Sequence, residues 1–224
     1  MTVSAVFPLS TAYLPGDVVS LRVFESRYLE MIADVMADER RFVSVLISRG
    51  SEVGGGDSRF DHGVEVVIEN IVASPDFLVV TGYADAAVVV RSWGEDDPYP
   101  KATVSRQAEI ALDDAERFDV ASSLTLLAQR VRSVTERLAS LSERGEGLIP
   151  ADRGLATVSA GRWWDERVAD AELWRAFWLV AGAIPCGPLD RCHFLEPGPL
   201  PGRVARLRRV LDHVAEVVAF RFGT

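Results

Sequence analysis

The dominant hydrophobic period of this chain changes near residue 116, and this change limits the fold more than any other feature. Before residue 116, apolar residues alternate with polar ones or form short β-branched runs, which is typical of strands. After it, apolar residues recur every three or four positions, which is typical of helices. The pattern therefore predicts an α+β protein, with a β-rich subdomain over 1–115 and a helical bundle over 116–224.

Several segments of the first half carry the strand pattern, and one carries the pattern of a helix. The helix begins after Phe24, and Ser26 is of a residue type that caps helix N-termini. Proline cannot donate to a strand ladder, so Pro100 limits the last predicted strand to an edge or a connection. The predicted strands are 18–23, 42–47, 64–72, 77–83, 86–90 and 101–106.

A glycine-rich stretch over 48–63 separates two of these strands. Its three consecutive glycines, Gly54 to Gly56, suggest a phosphate cradle, but no G-x-x-x-x-G-K-[ST] sequence occurs and no helix pattern follows at once. We therefore expect a flexible hairpin loop there. It is longer than most hairpin loops, which leaves it able to move or to contact a ligand.

The second half contains three helical patterns. The first is a narrow stripe that either faces the core of a bundle or forms a coiled-coil dimer, and its residues are Val120, Leu124, Leu127, Val131, Val134, Leu138 and Leu141. Residues 142–162 are predicted to form a loop. The next helix, over 170–182, carries an aromatic stripe typical of a core. The last is amphipathic, and its other face is either solvated or a site for an acidic partner, with Arg203, Arg206, Arg208 and Arg209.

Charge and hydropathy exclude two classes of partner. The net charge is −9, and residues 1–115 hold 9 basic against 19 acidic side chains, whereas residues 116–224 hold 15 against 14. A nucleic-acid surface needs clustered positive charge, so we expect no nucleic-acid partner. No apolar run of about 18 residues occurs, and no secretory signal opens the chain, so we expect no membrane partner and a cytoplasmic location.

The N-terminal residues carry a recognisable order of short motifs: Phe7-Pro8-Leu9, Leu14-Pro15-Gly16, Val23-Phe24-Glu25 and Arg27-Tyr28. In this order and spacing the chain resembles the Lon substrate-binding domain family. A second similarity, at pattern level, lies near the C-terminus, at Pro188, Asp190, Arg191, Phe194, Leu195 and Glu196. The chain departs from the family pattern at Ala86-Ala87-Val88, where the family has an Arg-Phe step.

The resemblance implies a fold and a function. The fold would be a twisted antiparallel β-sheet or pseudo-barrel of PUA-like type that encloses one helix, followed by a helical bundle. The function would be non-catalytic binding of unfolded or exposed peptide segments of proteins. It further implies a link to protein quality control and a separate protease or chaperone as partner. The ATPase and protease modules of full-length Lon proteases do not fit the residues of this chain.

The sequence has few candidate residues for catalysis or metal binding. The single lysine, Lys101, satisfies neither a Walker A motif nor a Ser-Lys dyad. The three histidines are isolated in sequence. Cys186, Cys192 and His193 supply one ligand fewer than a structural zinc site needs, so structural thiols are the favoured interpretation. We predict no catalytic residue, no metal and no cofactor, although carboxylates brought together in space would keep an enzyme possible.

Aromatic residues in turns are the candidate contacts for a peptide. Tyr13, Trp93 and Tyr99 are harder to explain as core residues than aromatics within strands, although each could also pack against its own domain. An extended peptide would add to an edge strand, in a groove between the β-rich half and the helices. The alternative function is a small-ligand-binding PUA-like module or an uncharacterised enzyme.

Overall fold

The computed structural model describes residues 1–52, 56–141, 153–161, 163–165 and 168–222. The chain forms two compact units. The first contains Met1–Ala108 and Arg191–Pro197, and the second contains Glu109–Asp190 and Gly198–Thr224. A short segment from near the C-terminus thus belongs to the first unit. The boundary at 115/116 between independent subdomains stays a prediction.

The first unit is a mixed six-stranded sheet with one helix. Its elements are β1 (Thr2–Leu9), β2 (Val18–Val23), α1 (Ser26–Ala37), β3 (Arg41–Arg49), β4 (Ser58–Ala73), β5 (Leu78–Trp93) and β6 (Lys101–Arg106). The strand order is β2-β5-β4-β3-β1-β6, and β5 also pairs with β6, so the sheet curls back on itself without forming a regular barrel. The β1–β3 pair is parallel and the other pairs are antiparallel. The predicted α+β fold is confirmed, with a mixed sheet in place of an antiparallel one.

Three strand predictions need correction. β3 runs to Arg49 and β4 begins at Ser58, so the predicted 48–63 loop is partly strand, and residues 53–55 lie outside the described part. The predicted strands 77–83 and 86–90 are one strand, β5. Asp85 interrupts the apolar pattern of this strand because the pairing register shifts there. Val66 pairs with Ala84 and Glu65 pairs with Ala86, so Asp85 is the extra residue of the irregularity. β6 is not an edge, since it pairs with β1 on one side and with β5 on the other.

Two glycines allow close approach of neighbouring strands. A Cβ atom at Gly63 would lie 2.1 Å from the carbonyl oxygen of Ser44, and one at Gly82 would lie 2.0 Å from that of Val67. No side chain fits at such distances without backbone movement. These positions therefore require glycine for the close approach of the neighbouring strand.

Helix α1 packs its apolar face against the sheet, with Tyr28, Met31, Ile32 and Val35 buried. The predicted N-cap at Ser26 is wrong, because Ser26 is already the first helical residue. Glu25 occupies the cap position, and its side chain pairs with Arg27 at 3.1 Å instead of bonding the helix N-terminus.

The second unit is helical. Its elements are α2 (Asp114–Leu141), α3 (Arg153–Ser159), α4 (Asp170–Ala183), the first residues of α5 (Pro188–Phe194), and α6 (Leu200–Phe222). Helix α2 contacts α3, α4 and α6. The core-facing interpretation of its stripe is confirmed for Val120, Leu124, Leu127 and Val131, which are at most 2% exposed. The side chain of Leu141 lies outside the described part.

Two further predictions for this unit are corrected. Helix α3 falls within the predicted 142–162 loop, and residues 142–152 and 162 lie outside the described part. Arg203 is not on a solvated face, since it is 2% exposed and its guanidinium lies 4.8–5.1 Å from three ring centroids of the predicted aromatic stripe. Burial, with the nearby charge of Arg206, lowers the pKa of Arg203 to about 9. In the described part of the chain, no helix has the length and hydropathy to span a membrane.

Candidate functional site

A cavity of about 380 Å³ opens in the first unit, between the end of β1, strand β2, the start of α1 and residue 52. Its apolar floor consists of Phe7, Leu9, Leu21, Val23 and Tyr28, and its more polar rim consists of Ser10, Thr11, Tyr13, Ser20, Arg22, Phe24, Glu25 and Glu52. The pocket lining thus includes six residues of the N-terminal motifs: Phe7, Leu9, Val23, Phe24, Glu25 and Tyr28.

The floor follows from the alternation of β2 and from an aromatic stack. Leu21 and Val23 point to the buried side of β2, while Ser20 and Arg22, which alternate with them, are exposed. Phe7 stacks on Tyr28 with ring centroids 4.2 Å apart, and the guanidinium of Arg27 lies 4.4 Å from the Tyr28 ring. Burial raises the pKa of Tyr28 to about 12, so its hydroxyl stays neutral and the floor stays apolar.

Strand β2 offers an open backbone edge beside this floor. Within the described residues it pairs with β5 alone. Backbone groups of alternate residues point to opposite edges of a strand. The amide of Ser20 donates to the Tyr13 hydroxyl, so Ser20 and Arg22 direct their backbone groups away from β5. An edge with unsatisfied amide and carbonyl groups is a template for another strand.

The rim is aromatic and acidic. Phe24 directly follows β2 and is 57% exposed, which is unusual for a phenylalanine. The carboxylate of Glu52 accepts hydrogen bonds from the amide and hydroxyl of Ser10. Burial, together with the charges of Asp17 and Glu52, raises the pKa of Tyr13. The arrangement suits a ligand with an apolar group for the floor and backbone-like hydrogen-bonding groups for the edge.

The three predicted contact residues lie in different places. Tyr13 lines the pocket. Trp93 is half-buried and its indole nitrogen donates to Asp61 at 2.9 Å. Tyr99 is 6% exposed, and its hydroxyl donates to Asp34 at 2.8 Å. Neither Trp93 nor Tyr99 lines this pocket, and their role in binding stays a prediction, as does a groove between the β-rich and helical parts.

Sequence reasoning missed Phe24 and the β2 edge as parts of a site. Both lie inside the Phe7–Tyr28 motif region, and the signal was a phenylalanine directly after a fully alternating strand. Alternation places Val19, Leu21 and Val23 on the buried face of β2. The next residue, Phe24, therefore falls on the opposite, exposed side.

Cys192 and His62 lie in contact, but their pKa shifts are opposite to those of a reactive pair. Cys192 is buried, with its sulfur 3.3 Å from Nε2 of His62. Burial and the charge of Glu196 raise the pKa of Cys192 to about 12, and burial lowers the pKa of His62. A cysteine nucleophile needs the opposite shifts, toward thiolate and imidazolium. No group of three or more metal-ligating side chains occurs among the described residues.

Comparisons with known proteins identify relatives of this architecture. The family model described as the ATP-dependent protease La (LON) substrate-binding domain matches residues 3–216. The crystal structure of a Lon N-terminal domain protein from Xanthomonas campestris is similar, with 22% identity, a TM-score of 0.58, and coverage of 93% of this chain and 98% of that chain.

The N-terminal domain of a Mycobacterium avium complex Lon protease is also similar in fold. It has 14% identity, a TM-score of 0.52, and coverage of 94% of this chain and 98% of that chain. At these identities the solved structures show the fold alone. No curated protein sequence matches the chain.

Proposed function

Because the chain belongs to the Lon substrate-binding domain family, we propose that it is a non-catalytic module that binds extended polypeptide segments at the pocket beside β2. The family makes it a substrate-binding module. The nature of the segment, its place of binding and the absence of catalysis are our proposal.

The observation that carries this proposal is the open edge of β2 along an apolar floor. A peptide added to a sheet edge gains main-chain hydrogen bonds whatever its sequence, and its alternate side chains enter the pockets below. The backbone of Arg22 and the carbonyl oxygen of Ser20 would supply the hydrogen-bonding partners, and the floor between Phe7 and Tyr28 would take an apolar side chain. A volume of about 380 Å³ lies within the usual range of ligand pockets.

Unfolded chains are the ligands that this arrangement favours. Folded proteins satisfy their backbone groups internally and bury their apolar side chains, so neither is offered to an edge strand. Unfolded segments expose both. Such a preference supports a role in protein quality control in the cytoplasm, together with a separate protease or chaperone. Of the predicted contact residues, Tyr13 is the one that we place against the peptide.

The edge can be tested by one position with two substitutions. Arg22→Pro removes a backbone amide that faces away from β5, whereas Arg22→Ala removes the same side chain and keeps the amide. The probe is a fluorescein-labelled peptide of about nine residues with alternating leucine and threonine. We expect saturable binding at tens of micromolar, weakened about tenfold by the proline and less than threefold by the alanine, measured by fluorescence anisotropy.

The floor and rim have their own test. Phe24→Ala removes an exposed ring, so binding of the same peptide should weaken about tenfold while the thermal unfolding midpoint changes little. Absence of saturable binding by the parent protein would overturn the proposal. A small metabolite that raises the unfolding midpoint by several degrees and displaces the peptide would favour a small-ligand site instead.

A further inference from the structure

A segment distant in sequence from the pocket residues contacts the turn that carries Tyr13 of the rim. We call residues 191–197 the return segment, because they belong to the first unit although the residues on both sides of them belong to the second. Cys192, Phe194 and Leu195 of this segment are at most 2% exposed. The side-chain amide of Gln107 donates to the carbonyl oxygen of Leu195 at 2.6 Å. The return segment thus packs into the core of the unit that contains the pocket.

Arg191 ties both ends of the turn that carries Tyr13. Its Nε donates to the carbonyl oxygen of Ala12 at 3.0 Å, and its Nη2 donates to Oδ2 of Asp17 at 2.5 Å. The same carboxylate oxygen accepts the amide of Leu14 at 2.8 Å. A planar guanidinium donates in two fixed directions, so one side chain fixes the separation of residues 12 and 17.

The neighbouring residue supports the same turn from below. Cys192 is fully buried and belongs to a core cluster with Ala12, Leu46 and the half-buried Phe60. Ala12 is therefore held through its carbonyl oxygen by Arg191 and through its side chain by this cluster. Tyr13 follows directly, and its hydroxyl meets the backbone of Ser20 at the edge of β2.

We propose that Arg191 positions Tyr13 in the rim of the pocket, so that peptide binding and the packed position of the return segment stabilise each other. We call this packed position the seated state. The inference rests on the proposed function, since it concerns the same pocket. The coupling is reciprocal: if the seated segment favours peptide binding, bound peptide must favour the seated segment by the same factor. Arg191 is a positioning residue, which acts on the peptide through residues 12–17.

The buried thiol provides a direct reporter of seating. The chain has two cysteines, so Cys186→Ser leaves Cys192 as the single thiol. Because Cys192 is 0% exposed, a soluble aromatic disulfide reagent reacts with it only when the segment lifts. In this background we expect the leucine–threonine peptide, at saturation, to slow the modification of Cys192 about tenfold. If the return segment and the peptide site were independent, peptide would leave this rate unchanged.

Substitution of the arginine tests the cause. In Arg191→Met we expect peptide affinity to fall about tenfold, and the modification of Cys192 without peptide to become about tenfold faster. Arg191→Lys keeps the charge for Asp17 but cannot donate in two fixed directions, so it should lie between parent and methionine variant. It also provides a folded protein if Arg191→Met unfolds. Arg41→Met is the matched control, because Arg41 also bonds acidic groups of the first unit but does not line the pocket.

The outcomes separate the two proposals. Slower modification of Cys192 with peptide, together with weaker peptide binding in both Arg191 variants but not in Arg41→Met, supports the coupling. If the parent binds peptide while both Arg191 variants keep its affinity and Cys192 reacts at the same rate with and without peptide, the coupling is overturned and the peptide site stands. If the parent binds no peptide, both are overturned.

Discussion

Both compact units pair arginines with carboxylates, as Arg117 pairs with Asp170 in the second, but they hold their most buried arginine in different ways. In the first unit arginines meet carboxylates: Arg41 and Arg106 both contact Glu65 and Asp85, and Arg59 lies between Asp57 and Asp96. In the second unit Arg203 lies among the rings of Trp174, Phe177 and Trp178. The first unit therefore pairs its buried Arg59, whose side chain is 7% exposed, with carboxylates, whereas the second holds the buried guanidinium of Arg203 among aromatic rings.

The two units therefore depend on different contacts for their stability. The sheet depends on close backbone approach, as at Gly63 and Gly82, and its pocket leaves an edge unpaired. The helical unit depends on the volume of large side chains between α2, α4 and α6. Similar substitutions should therefore act differently in the two units, and each prediction below pairs or contrasts positions for that purpose.

The largest effect is expected from loss of volume in the helical core. Phe177 is 0% exposed and its ring centroid lies 4.8 Å from that of Trp178, so Phe177→Ala should lower the free energy of unfolding by about 3–5 kcal/mol. Phe24→Ala in the sheet unit, where the ring is half exposed, should cost less than about 1 kcal/mol. Urea unfolding followed by circular dichroism measures both, and equal costs would contradict the contrast.

Arg203 comes next, because its contribution is packing more than charge. Arg203→Ala should lower the free energy of unfolding by about 2–4 kcal/mol, since it leaves a space beside Trp174 and Trp178. Arg203→Met fills that space and removes a buried charge, whose cost is reflected in a pKa lowered to about 9, so it should change stability by less than about 1 kcal/mol. A methionine variant as unstable as the alanine variant would show that the cation–ring contacts dominate.

A pair of glycines should respond to alanine with opposite signs. At Gly63 the new Cβ would collide with the Ser44 carbonyl, so Gly63→Ala should destabilise the sheet unit by about 1–3 kcal/mol. Gly202 is exposed near the start of α6, and a Cβ there meets nothing nearer than 4.0 Å. Gly202→Ala should therefore stabilise the helical unit by roughly 0.5 kcal/mol. Thermal unfolding of the two variants tests the pair, and a shift of the same sign in both would refute it.

Sequence reasoning succeeded where the determining contacts are local. The stripe from Val120 to Val131 is buried as predicted, because helical period alone decides which face of α2 is apolar. The order of motifs from Phe7 to Tyr28 identified the family, and residues of three of the four motifs line the pocket. Tyr13 was also named from its position in a turn, and it lines the same pocket.

It failed where partners are distant in the chain. Asp85 has the composition of a turn, yet the strand continues through it because Arg41 and Arg106, 44 and 21 residues away, satisfy its charge. The burial of Arg203 depends on rings of another helix, α4. The place of Arg191 depends on contacts 179 residues away at Ala12. A local period carries no information on such pairs, so Arg203 was placed with Arg206, Arg208 and Arg209 on the face opposite the apolar one.

The smallest expected effect is on the pH dependence of stability. It compares a histidine of the sheet unit with one of the helical unit. His62 contacts Cys192 and Phe60, and the charged or titratable groups near it are Asp61, His193 and Glu196. Burial lowers its pKa in the folded protein below the ordinary value, so the unfolded chain binds a proton that the folded one refuses. The stability contribution is therefore complete above the ordinary pKa and is lost as pH falls below it. One such group can change the free energy of unfolding by at most about 1.4 kcal/mol per pH unit.

We expect His62→Gln to lose less stability than the parent between about pH 7 and pH 5, by urea unfolding at each pH, with the exposed His213→Gln as matched control. An identical loss in the parent and in His62→Gln would mean that the buried imidazole does not set the acid sensitivity of the sheet unit.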